Sequence, residues 1–192
     1  MNDASLTTKS GSTITWIYQH QNRWRAAILL LLLVAILGPW VYTSDGVPPA
    51  EWCEPPYILL ESDRCVKLES GVTVFIFMVS VLFSMGPTLA SGMIGSGEIF
   101  REFLFILFFF LLLLPFYSSL PLFLCRENRR LRLFNMATWG LALVPALLLA
   151  TTGGSGLPFY FFWGIWLYII LATLALILEL LLLQNNRKPQ IG

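Results

Sequence analysis

Residues 47–71 read VPPAEWCEPPYILLESDRCVKLESG, a long polar interval set between apolar runs. It carries Asp63, Arg64, Lys67, four glutamates and two of the three cysteines. Pro48-Pro49 and Pro55-Pro56 deny it a regular helix and favour extended or polyproline-like backbone. In an oxidising compartment Cys53 and Cys65 would close a small loop, worth very roughly 2–3 kcal/mol by the loop-entropy model. A metal site wants about four ligands of suitable type, and a redox pair is more usually spaced C-x-x-C. A structural disulfide between Cys53 and Cys65 is therefore expected, with Trp52 and Tyr57 beside the prolines as candidate docking anchors.

The sequence on either side of this interval reads as membrane. Hydrophobic residues make up 57% of the chain and charged residues 12%, against a usual ~45–50% and ~25% in soluble domains. The charges are confined as well. None falls between Arg25 and Asp45, between Glu69 and Glu98, or between Glu102 and Arg126, and from Leu133 to Asn186 there is only Glu179. A bilayer crossing needs roughly 20 apolar residues. The expected fold is an all-α, multi-pass transmembrane helical bundle in the cell membrane, with one short disulfide-stapled extramembrane loop at residues 44–70. Five spans fit the apolar runs, at about residues 26–43, 71–95, 103–124, 133–152 and 158–183. A polar tail with an interfacial anchor (1–25) precedes them, and a polar tail (184–192) follows.

Within this plan each segment has its own signal. Trp16, Tyr18, Arg23, Trp24 and Arg25 fit an aromatic and basic anchor at the head groups, and His20 fits the same layer. The first span ends in bulky Gly38-Pro39-Trp40-Val41-Tyr42 rather than a small-x-small site, so it is expected to be retained. The second run, 70–97, would measure roughly 42 Å as one helix, longer than the ~30 Å hydrocarbon layer. A kink or break is expected near Gly86-Pro87, and Gly86 with Ala90, then Ser91 with Gly95, have the four-residue spacing that lets helices approach closely. Glu98, Arg101 and Glu102 read as a charged helix entrance. Arg126, Arg129, Arg130 and Arg132 form the densest positive cluster, expected to contact lipid head groups. Glu179 lies near the end of the last span with no basic partner in that span, and an intramembrane acid is a functional suspect by default.

Two orientation rules disagree for five spans. A cysteine loop outside puts residues 126–132 outside as well, against the positive-inside rule; the reverse orientation puts Cys53 and Cys65 in a reducing compartment. Making the second run re-entrant leaves four true spans and satisfies both rules, at the cost of shielding a non-helical turn at membrane depth. The five-span plan with the cysteine loop outside is adopted as the expectation.

No HExxH, CxxC, G-x-S-x-G, P-loop or dinucleotide motif is present, so neither an enzyme nor a cofactor is expected. A net charge of +1, with the arginines explained by lipid, gives no reason to expect nucleic acid. The expected role is an accessory or structural subunit that packs in a larger membrane complex and docks through residues 44–70. Its partners would be the lipid bilayer and other membrane subunits, or further copies of itself. The alternative is a small transporter or channel component with a path at the broken second span. Trp52 next to Cys53, with Cys65 downstream, is similar to the first loop of claudin-like four-helix proteins. The likeness covers that loop alone. The G-L-W that precedes the first cysteine in that family is absent and a fifth apolar segment is present, so no family is assigned.

Overall fold

The computed structural model describes residues 16, 19–44, 48–55, 57–59, 64–90, 107, 110–122, 129–152, 157 and 159–185. The protein is mostly helical. Its helices are α1 (Gln21–Leu37), α2 (Gly71–Ala90), α3 (Phe110–Leu122), α4 (Arg129–Thr152) and α5 (Trp163–Asn185). A small sheet of β1 (Pro39–Thr43), β2 (Tyr57–Leu59) and β3 (Cys65–Ser70) lies between α1 and α2 in sequence. Residues 129–152 and 160–184 form two helices long and apolar enough to cross a membrane.

The first helix is shorter than expected at its far end. It stops at Leu37 because proline at 39 disfavours helical backbone in the residue before it, and Gly38 is extended at φ −73°, ψ 167°. Trp40 and Tyr42, assigned above to the end of a span, instead belong to β1. The Trp40 indole N–H donates to the Ala35 carbonyl at 2.9 Å, satisfying one of the acceptors that a helix end leaves open. The strand then pairs antiparallel with β3, Thr43 opposite Lys67 and Tyr42 opposite Leu68, with an irregularity between Pro39 and Val41. β3 also pairs with β2, so the sheet order is β1-β3-β2. The chain passes directly from β3 into α2, where the Ser70 hydroxyl accepts the Thr73 backbone N–H at 3.1 Å as an N-cap.

Helices α1 and α5 run antiparallel along their length. At the sheet end, Gly38 and Gly164 touch: a Cβ built on Gly164 would lie 2.6 Å from the Gly38 carbonyl carbon and 2.7 Å from the Ala35 oxygen. Only glycine leaves room for that crossing. At the other end Arg25 of α1 meets Glu179 of α5. Between the two lies a core of Leu32, Ala35, Trp139, Ala142, Ala146, Ile165, Tyr168, Ala172 and Ala175. Its alanines on α4 and α5 let the two helices lie close. Large apolar side chains also point outward, among them Leu30, Leu33, Leu141, Val144, Ile170 and Leu174.

Among the described residues two helices are long and apolar enough to cross a membrane, so the five expected spans are not all seen. Five crossings would leave the start of α1 and the end of α5 on opposite sides, whereas Arg25 and Glu179 bring them to the same end. The chain leaves the sheet end with α2. By Leu112 it is back beside Tyr168, whose hydroxyl donates to the Leu112 carbonyl at 2.6 Å. From there α3 heads toward the end marked by Glu179, where its Ser118 meets Asn135 of α4. The run expected to break near Gly86-Pro87 is helical throughout Gly71–Ala90.

Candidate functional site

About one to two and a half turns inside the end remote from the sheet, polar side chains from four helices converge in an otherwise apolar bundle. Arg25 donates to Glu179 through both arms of its guanidinium, Nε to Oε1 at 2.7 Å and Nη2 to Oε2 at 2.9 Å. This fork-to-carboxylate geometry is the strong form of the interaction. The Asn135 amide also donates to Glu179 Oε1 at 3.3 Å, so the carboxylate accepts three hydrogen bonds. The Asn135 oxygen in turn accepts from Ser118 at 2.7 Å and Ser119 at 2.9 Å. Thr138 adds its hydroxyl, 2.6 Å from that of Ser118. Arg25 and Glu179 are only 4% and 1% exposed, which makes the pair a fully desolvated one.

A second contact lies nearer the same end. Arg132 of α4 donates Nη2 to the Gln21 side-chain oxygen at 2.9 Å, and both residues are fully buried. The two contacts tie the starts of α1 and α4 to each other and to the end of α5. Beside Arg25, Ser119, Asn135 and Glu179 is a cavity of about 10 Å³, room for about one water molecule. No group of three His, Cys, Asp or Glu suited to a metal ion occurs among the described residues.

The residues singled out from sequence fare unequally. Cys53 and Cys65 are joined in a disulfide, with Cα atoms 5.8 Å apart. Trp52 next to it is 72% exposed, while Tyr57 on β2 is half-buried. Arg129 and Arg130 are exposed at the start of α4, but Arg132 is not at a surface as expected. Two residues past Arg130 is about 200° around a helix, which turns Arg132 inward. Arg25 likewise is not an interfacial anchor but the partner that Glu179 lacked within its own span. Gly86, Pro87 and Ala90 fall in the last turns of α2. Ser91, Gly95, Glu98, Arg101, Glu102 and Arg126 lie outside the described residues. His20 is half-buried, and its Nδ1 lies 3.0 Å from the Trp16 carbonyl.

Asn135, Ser118, Ser119, Thr138 and Gln21 were not anticipated. Their signal in the sequence is faint: short polar residues inside apolar runs, which a span also tolerates when the hydroxyl bonds back to its own helix. Comparison with known family models, curated proteins and solved structures finds no match for the chain.

Proposed function

We propose that this chain is an integral protein of the cell membrane, a bundle with an even number of crossings, most simply four, that serves as an accessory subunit of a larger membrane complex. It has the sheet outside and both tails in the cytoplasm, and it docks through the disulfide-stapled sheet and its flanking loop. Exposed leucines, isoleucines and valines around the bundle support membrane embedding, since so large an apolar surface is unfavourable in water. The pairing of Arg25 with Glu179 supports this orientation. With the starts of α1 and α4 at one end and the disulfide at the other, a cytoplasmic arginine cluster and an oxidised cysteine pair are compatible.

The observation that carries the docking role is Trp52, 72% exposed beside a covalently fixed loop. Tryptophans of this kind supply much of the energy of protein interfaces, and a loop already ordered by a disulfide and a sheet loses little entropy on binding. The partner expected is the extramembrane part of another membrane protein. The transporter reading has less support. Glu179 already accepts three hydrogen bonds, and the adjoining cavity holds about one water.

Two experiments test this. A membrane-impermeant thiol reagent applied to intact cells is expected to reach Cys53 and Cys65 only after reduction; labelling of free thiols only after permeabilisation would overturn the orientation. A photo-cross-linking phenylalanine analogue in place of Trp52 is expected to give one discrete adduct, and Trp52→Ala to lose the co-purifying partner. A stable monomer that co-purifies with nothing and conducts a solute in vesicles would overturn the accessory role.

A further inference from the structure

On the outer side of the seam between α1 and α5 runs a groove of about 400 Å³ with an entirely apolar lining. Ala27 and Leu31 form one wall, and Leu174, Leu178 and Leu181 form the other. Trp16 and Trp24, with ring centres 5.8 Å apart in an edge-on arrangement, close its end remote from the sheet. Ala27 keeps the wall low where the flanking residues are large. The groove thus has a direction, with indole rings and charge at one end and hydrocarbon along the rest.

We propose that this groove holds one acyl chain of an anionic phospholipid from the cytoplasmic leaflet, with its phosphate at Arg23. The inference rests on the membrane orientation given above. Charge complementarity selects the lipid. Arg23 is exposed next to Trp24, and Arg129 is exposed at the same end of the bundle. The one described carboxylate in that region, Glu179, is engaged by Arg25. Indole rings favour head-group depth, and basic residues there attract anionic lipid.

The test uses the full chain in phosphatidylcholine vesicles containing, at equal mole fraction, phosphatidylglycerol or phosphatidylcholine brominated on one acyl chain. Bromine quenches nearby tryptophan, and a Trp16→Phe/Trp24→Phe double variant subtracts the signal of the other indoles. Brominated phosphatidylglycerol is expected to quench Trp16 and Trp24 more strongly than brominated phosphatidylcholine. Ala27→Phe, which fills the groove from an exposed position, should lose the excess quenching. Arg23→Gln should keep the quenching but make the two lipids equal. Equal quenching by both lipids in the unaltered protein, or undiminished excess quenching in Ala27→Phe, would overturn the proposal. So would discovery that a second copy of the chain cross-links through Leu174→Cys across the groove. Absence of quenching by either lipid would instead sink the membrane reading itself, so the two failures are told apart.

Discussion

At one end of the bundle the first and last helices are joined by a guanidinium and a carboxylate; at the other they are joined by two glycines. The ionic end brings together two side chains that each need the other, because a charge removed from water is costly unless it is met. The glycine end depends on shape, with Gly38 and Gly164 in backbone contact. Trp40 packs edge-on against Tyr168 alongside, ring centres 5.3 Å apart. The difference teaches that close packing suffices to hold helices together, while the charged end adds something packing does not: a requirement for one particular partner. A lipid-like bundle has many ways to slide its helices, and few of those bring Arg25 to Glu179.

The comparison breaks most readily at the charged end. Glu179→Leu leaves Arg25 buried without its carboxylate and is expected to destabilise the protein by about 3–5 kcal/mol, measured by thermal unfolding in detergent. The double variant Arg25→Leu/Glu179→Leu should recover most of that loss. If single and double variants unfold alike, the pair is not the discriminating contact argued here. At the other end, Gly164→Val forces α1 and α5 apart and should cost about 2–3 kcal/mol, the usual scale of overpacking. It has no charge partner to rescue it, so a compensating change at a distant residue would contradict the shape-only account. The smallest effect is expected for Tyr168→Phe, which removes the hydrogen bond to Leu112 for about 1 kcal/mol. A loss several times larger would mean that the hydroxyl rather than the ring organises the sheet end.

Parts of this architecture were legible in the sequence, and the reason differs from part to part. Apolar runs without charge marked helices close to where α4 and α5 are found, because composition over twenty residues is a local property. The disulfide was legible from two cysteines in a polar loop. The strands were less so. Residues 39–43 continue an apolar run and were assigned to the first span, although Gly38-Pro39 is the local signal that ends α1. The polar cluster was hidden for a different reason. Glu179 has its partner 154 residues away, and spacing arguments look three or four residues along a helix. Arg25 and Arg132 sit beside aromatic or basic neighbours that do favour an interface, so the sequence suggested a surface role for residues that the bundle buries. That the start of α1 and the end of α5 share one end of the bundle became visible only once Arg25 and Glu179 were seen side by side.

The Arg25–Glu179 contact also sets an order of events during synthesis. Arg25 emerges from the ribosome well before Glu179. At about 5–20 residues per second, the separation of 154 residues takes roughly 8–30 s to translate. Throughout that interval α1 carries a cation whose mate does not yet exist. A chain truncated before α5 would keep it so permanently, with Arg25 lacking its carboxylate. The contact thereby distinguishes chains that include Glu179 from chains that stop before it.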